Sequence, residues 1–331
     1  MPRLDLTLTE LRNYRPDVAE PADFDEFWRS TIAEARAIGG DAIVTPVQTA
    51  LTGVDVFDVT FPGFGGHPIR AWLLLPAGRT GTLPAVVDFV GYGGGRGLPH
   101  ERLAWVTAGY AYLLMDTRGQ GSRWGSGGNT ADPVGSTPAS PGYLTRGIEN
   151  PHDYYYRRVY TDAVRAIDFV RTLDDVDPSR IAVCGASQGG GIAIAVAGLV
   201  PDLVGVMPEV PFLSHFERAI GFTNEAPYNE VVHYLSVHRD LAAQAFTTLS
   251  YFDGVNFARR ATAPALYSVA LMDPVCPPST VFASFNQYGR NRRGSDQPGG
   301  DAEIEVYPFN EHEGGGGHHW VRQSAWLASR V

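Results

Sequence analysis

The spacing of apolar and polar positions changes character along the chain. Asp23 to Ala37 carries Phe24, Phe27, Trp28, Ile32 and Ala35 three to four residues apart, which predicts an amphipathic helix. Val54 to Phe61 alternates and Ile69 to Leu75 runs apolar. The turn-rich Pro62-Gly63-Phe64-Gly65-Gly66 lies between them, so the two predict a β-hairpin. From Ala85 onward short apolar runs follow one another. Strands are expected at Ala85 to Val90, Tyr110 to Met115, Ile181 to Cys184, Val204 to Met207, Ala265 to Val269 and Ile304 to Tyr307. Helical patterns at Glu101 to Thr107, Tyr156 to Leu173 and Gly189 to Leu199 fall between them. Such alternation predicts an α/β fold with a doubly wound, mostly parallel sheet.

Four stretches interrupt this rhythm. Residues 1–20 read as an N-terminal arm. Residues 117–150, rich in Gly, Ser, Pro and Asn, form a loop of a length usually reserved for function or special anchoring. Residues 211–260 hold helical patterns with Phe212, Phe216, Tyr228, Val231 and Tyr234, and read as an insertion over the mouth of the sheet. Residues 290–301 are polar and glycine-rich and read as a mobile surface loop. Residues 1–331 show no internal repeat and read as a single domain.

Composition narrows the function. The net charge of −10 comes with no basic run, which argues against nucleic acid or an anionic membrane as partner. The apolar run Gly191 to Val200 is too short to span a bilayer, and Met1-Pro2-Arg3-Leu4-Asp5-Leu6 has no signal-peptide character. A soluble cytoplasmic protein is expected. Cys184 and Cys276 form no CxxC pair and are expected as free, buried, reduced thiols.

The chemistry centres on Gly185-Ala186-Ser187-Gln188-Gly189, a G-x-S-x-G turn between an apolar strand and an apolar helix. A serine at the apex of so sharp a turn leaves no room for side chains two residues to either side, hence the glycines. Ser187 is thus the expected nucleophile, and the backbone N–H of Gln188 faces a developing oxyanion. In this arrangement the acid follows the serine and the histidine follows the acid. Asp273, just past the strand ending at Val269, is the expected acid; Asp253 is its rival but has no strand ahead of it. His312 is the expected base, with His318 and His319 as rivals. No ligand spacing supports a metal among the three histidines. The glycine-rich loop after Val90 offers the Tyr92 backbone N–H as second oxyanion donor. The ring of Tyr92, with Phe212, is a candidate wall of the substrate pocket.

These residues resemble the acetyl xylan esterase / cephalosporin-C deacetylase family, carbohydrate esterase family seven. The likeness runs from Asp23-Phe24-Asp25-Glu26-Phe27-Trp28 to the glycines after His312. It includes Asp116-Thr117-Arg118-Gly119-Gln120-Gly121, Tyr143-Leu144-Thr145-Arg146-Gly147-Ile148, Tyr154-Tyr155-Tyr156-Arg157-Arg158 and Ser187-Gln188-Gly189-Gly190-Gly191. Thr248 to Phe257 and Cys276 to Thr280 complete it. The resemblance implies an α/β-hydrolase, a cofactor-free and metal-free deacetylase of small sugars and cephalosporins, and an intracellular homohexamer. It also implies a mainly structural Arg118-Gly119-Gln120 element that braces loops beside the site. Two departures stand out. Val90 occupies a position where the family usually has histidine, in a loop with extra glycine and Arg96, and the 290–301 loop is longer than usual.

Overall fold

A computed structural model describes residues 5–291 and 301–331. Its sheet has nine strands among the described residues: β1 Ile43–Val47, β2 Val54–Pro62, β3 Pro68–Pro76, β4 Leu83–Phe89, β5 Ala111–Met115, β6 Val176–Ala186, β7 Gly205–Glu209, β8 Ala265–Ala270 and β9 Ala302–Tyr307. Their spatial order is β1-β2-β3-β5-β4-β6-β7-β8-β9. The first four in that order pair antiparallel; β5-β4 and every later pair run parallel. The expected hairpin is the β2–β3 pair.

Each central strand buries both faces, which is why its sequence runs apolar instead of alternating. Val87, Phe89, Val183 and Val269 face a layer of helices that includes Phe24–Ile38, Tyr155–Val170 and Gln188–Leu199. Val86, Cys184, Met207 and Leu266 face the other layer, where Trp105 of the short helix Ala104–Thr107 and Trp326 of the C-terminal helix Gly316–Ala328 cover them.

Some boundaries differ from expectation. The helix expected at Glu101 to Thr107 is a 3-10 turn at Pro99–Glu101 followed by a single α-turn, Ala104–Thr107. The arm contains a helix, Leu8–Asn13, opened by Thr7 and Glu10 in a reciprocal capping box. Strand β1 was not anticipated, because it is an almost fully exposed edge with no buried face to pattern it. Residues 117–150 hold no helix or strand. The 211–260 stretch holds four α-helices: Phe216–Phe222, Asn229–Val237, Ala242–Ser250 and Gly254–Ala258. The expected mobile loop falls mostly on residues 292–300, which lie outside the described residues.

Candidate active site

Strand β6 ends by turning into the helix Gln188–Leu199, and Ser187 sits on that turn with φ 57° and ψ −117°. A left-handed φ strains a residue with a Cβ and persists only where the surroundings enforce it. The flanking glycines supply the room. A Cβ on Gly185 would lie 2.5 Å from the Gly189 carbonyl carbon, and one on Gly189 would lie 1.9 Å from the Phe89 oxygen.

Three sequence-distant side chains meet at this turn. His312 Nε2 is 2.9 Å from Ser187 Oγ, and His312 Nδ1 is 2.8 Å from Asp273 Oδ2. A carboxylate only accepts, so Nδ1 carries the ring proton and Nε2 is left to accept from the serine hydroxyl. Asp273 is itself fixed: its Oδ1 accepts the Val275 and Cys276 N–H groups at 2.8 and 2.9 Å. It follows β8, and His312 follows β9, so the strand ends set both in place.

The rivals have other partners. Asp253 accepts from the backbone of His215, Phe216 and Val255, capping the helix Gly254–Ala258. His319 is buried against the Tyr307 hydroxyl at 3.0 Å, and His318 is exposed. Asp273, Cys276 and His312 bring three possible metal ligands within 4.8 Å of one another. An ion held by all three would compete with the His312–Asp273 hydrogen bond.

The loop opposite Ser187 is tightly held. Among the described residues the backbone N–H groups of Tyr92 and Gln188 donate to no protein acceptor. Gln188 donates from Nε2 to the Val90 carbonyl at 3.0 Å and accepts from Gln120 Nε2 at 2.8 Å and the Tyr156 hydroxyl at 2.9 Å. Gln120 Oε1 accepts the Gly93 N–H at 2.6 Å. Arg118, fully buried, makes a two-pronged pair with Asp162 at 2.6 and 2.7 Å and reaches Asp132 at 3.3 Å. Gly119, at φ 70°, turns the chain between them, and its carbonyl accepts from the Tyr143 hydroxyl. The Arg118-Gly119-Gln120 segment therefore touches the glycine-rich loop at Gly93 through Gln120 and the helix Tyr155–Val170 through Arg118.

A pocket of about 320 Å³ opens over Ser187, walled by Tyr92, Trp124, Pro227 and Val275. Tyr92 lines it as anticipated. Phe212 does not: it is fully buried behind Tyr92, ring centroids 6.1 Å apart, with Tyr228 at 4.4 Å on its other side. It backs the wall instead of forming it, sandwiched between Tyr92 and Tyr228. Val90 takes no part in the pocket wall. Its side chain packs into the Trp105 layer, away from the pocket, and only its carbonyl serves the site. Arg96 likewise leaves the pocket alone. It stacks 4.0 Å over Trp72 and donates to Asp58 and the Ala71 carbonyl, pinning the loop to the hairpin.

Glu230 and Trp124 were not foreseen. The Tyr92 hydroxyl donates to Glu230 Oε1 at 2.6 Å, and Glu230 Oε2 accepts the Tyr143 and Leu144 N–H groups. Burial pushes the Glu230 carboxyl above its ordinary value. The Trp124 indole donates to the Tyr92 carbonyl at 2.8 Å. Neither contact has a local signal in the sequence.

Known proteins resolve what such a site belongs to. The sequence model of the family described as acetyl xylan esterase (AXE1) matches residues 1–330. The chain belongs to the acetyl xylan esterase family. Its members are serine esterases of the α/β-hydrolase superfamily. The solved acetyl xylan esterase from Paenibacillus sp. R4 superposes with a TM-score of 0.91 at 37% identity, covering 98% of this chain and all of that one. Acetyl xylan esterase 1 from Thermoanaerobacterium sp. JW/SL YS485 gives 0.88 at 31% identity, over 99% and 100%. Acetyl esterase Axe7A of Xylanibacter ruminicola is 28% identical over 96% of this chain and 69% of its own length. No helix among the described residues of this esterase is long and apolar enough to cross a membrane.

Proposed function

We propose that this esterase removes acetyl groups from small acetylated substrates, xylo-oligosaccharide acetates and cephalosporin C among them, by a Ser-His-Asp acyl-enzyme route. The observation that carries the mechanism is the unbroken chain Asp273–His312–Ser187, at 2.8 and 2.9 Å, beside two uncommitted backbone N–H groups. Ser187 Oγ attacks the acetyl carbonyl while His312 Nε2 takes its proton. Asp273 holds the ring and offsets the charge it gains. The Tyr92 and Gln188 N–H groups receive the negative oxygen. His312 then returns the proton to the departing alcohol, and water, activated by the same nitrogen, releases acetate.

The short acyl preference is supported by Tyr92 and Trp124, which stand against the serine and are themselves anchored. We also read the protein as cytoplasmic and hexameric. The two buried cysteines are free thiols, as a reducing compartment would keep them, and the exposed edge β1 leaves pairing groups that an assembly would cover.

The test is a panel of p-nitrophenyl esters, acetylated xylobiose and cephalosporin C. A burst of nitrophenol, acetyl preferred over butyryl, and a drop of about 10⁶-fold in kcat for Ser187→Ala are expected. Near-full turnover by Ser187→Ala, or preference for butyryl, sinks the reading.

A further inference from the structure

The loop opposite Ser187 reads Gly91-Tyr92-Gly93-Gly94-Gly95, so one tyrosine is the only side chain in five residues. Glycine leaves the backbone free to turn and brings no side chain to pack. Any anchor that this stretch carries on a side chain of its own has to act through Tyr92.

Tyr92 is held from root to tip. The Trp124 indole donates to its carbonyl at 2.8 Å, and the Tyr143 ring stands edge-on to its ring at 5.5 Å. Its hydroxyl donates to Glu230 Oε1 at 2.6 Å. Glu230 lies in the helix Asn229–Val237 of the insertion and is buried. Its Oε2 accepts the Tyr143 N–H at 3.1 Å and the Leu144 N–H at 2.9 Å. The chain wraps the carboxylate closely: a Cβ on Gly142 would fall 2.1 Å from Oε1. One side chain thus ties together three segments distant in sequence: the glycine-rich loop, the 117–150 loop and the insertion. Pro227, three residues before Glu230, lines the pocket over Ser187 together with Tyr92. Burying a carboxylate is costly, and here three donors offset that cost.

We propose that Glu230 is a positioning residue for ester hydrolysis: through the Tyr92 hydroxyl it sets where the Tyr92 backbone N–H meets the developing oxyanion. The inference rests on the acyl-enzyme reading above, in which that N–H is one of two donors. A donor set slightly off its mark holds the tetrahedral oxygen less well but leaves ground-state binding of the ester nearly as it was. The loss then falls on kcat and spares KM.

Two substitutions cut the link from its two ends. Tyr92→Phe removes the anchored hydroxyl and keeps the ring and the backbone N–H. Glu230→Gln keeps the size, but its amide has one acceptor oxygen for donors that reach both carboxylate oxygens. The experiment measures kcat and KM for p-nitrophenyl acetate at pH 8 in the full-length wild type, each variant and the double variant, per mole of enzyme shown folded by circular dichroism. Each single variant should lose about tenfold in kcat with KM within twofold. Inhibition by methylboronic acid, which forms a tetrahedral adduct with a serine, should weaken by the same factor. The double variant should be no slower than the slower single one, because both changes break one link.

A Glu230 that only braces the 143–144 turn behaves otherwise. Glu230→Gln then lowers Tm and leaves kcat per folded enzyme within twofold of wild type, or costs as much in the Tyr92→Phe background as alone. Either result, or a loss carried by KM, overturns the positioning role. Should Glu230→Gln not fold, Tyr92→Phe decides by the same kcat and KM criteria. These outcomes leave the acyl-enzyme reading standing as long as Ser187→Ala silences the enzyme; wild-type turnover by Ser187→Ala overturns both.

Discussion

At the residue scale the site is a set of single atoms held by short bonds. Asp273 shows this well: both its oxygens are occupied, one by two backbone N–H groups and one by His312. Asp273→Asn keeps the shape and can still accept from the backbone, but its amide turns a donor toward Nδ1 and imposes the wrong ring tautomer. A fall of about 10⁴-fold in kcat is expected with little change in Tm; a fall below tenfold would show that the tautomer is not held this way. Glu209 gives a pH signature. Burial, above all, lifts its carboxyl from the ordinary 4.5 to about 7. The folded state thus keeps a proton that the unfolded chain releases at lower pH, and stability is lost as pH rises through that window. Glu209→Gln removes the titration. The Tm of the variant minus that of wild type should therefore climb between pH 4.5 and 7 and level off above, by calorimetry; a difference that stays flat refutes it. The meeting of Ser187, Asp273 and His312 was legible, because a strained turn and a fixed chain order constrain them. Glu230 was not. It meets Tyr92 across 138 residues, and nothing near either residue announces the pair.

At the scale of elements, period and turn chemistry carried most of the fold. The central strands read correctly because burial on both faces makes them uniformly apolar. Strand β1 escaped because Thr45 and Pro46 interrupt its short apolar run and no buried face imposes an alternation on it. The helix Leu8–Asn13 escaped too, though Thr7 and Glu10 spell its capping box. The long 117–150 loop was read only as functional or specially anchored, and its anchors were not legible. Asp116 gathers the N–H groups of Arg96, Asn129 and Thr130, and Arg118, Arg158, Asp132 and Asp162 form a buried ion network under it. Breaking that network strands charges away from water. Arg118→Met should cost about 3–5 kcal/mol in urea unfolding, with part regained by adding Asp162→Asn. A loss under about 1 kcal/mol would mean the loop is held by its backbone bonds instead.

For the whole molecule, the sheet sets the geometry and its two faces divide the labour. One face carries the thick helical layer that closes over Tyr92 through the insertion. The other carries the thin layer of Trp105 and Trp326, and leaves a cavity of about 610 Å³ against β6. Chain-wide surface features that sequence alone did not expose include Ile43 and Val44 on β1, 64% and 40% accessible. An open edge with apolar side chains invites pairing. Light scattering after size exclusion should return six copies of the 35.8 kDa chain; a monomer at micromolar concentration would refute the assembly.

The amide cluster of Gln120 and Gln188 has a thermal consequence. In the proposed anion cradle Gln188 gives one N–H and, by its side chain, grips both Val90 and Gln120; Gln120 in turn grips Gly93, the neighbour of Tyr92, the other proposed donor. The two halves of the cradle are thereby one rigid body. Warming should not pry them apart gradually. The Arrhenius plot of acetyl ester hydrolysis should stay straight until the protein melts, and Gln120→Ala should bend it well below that temperature.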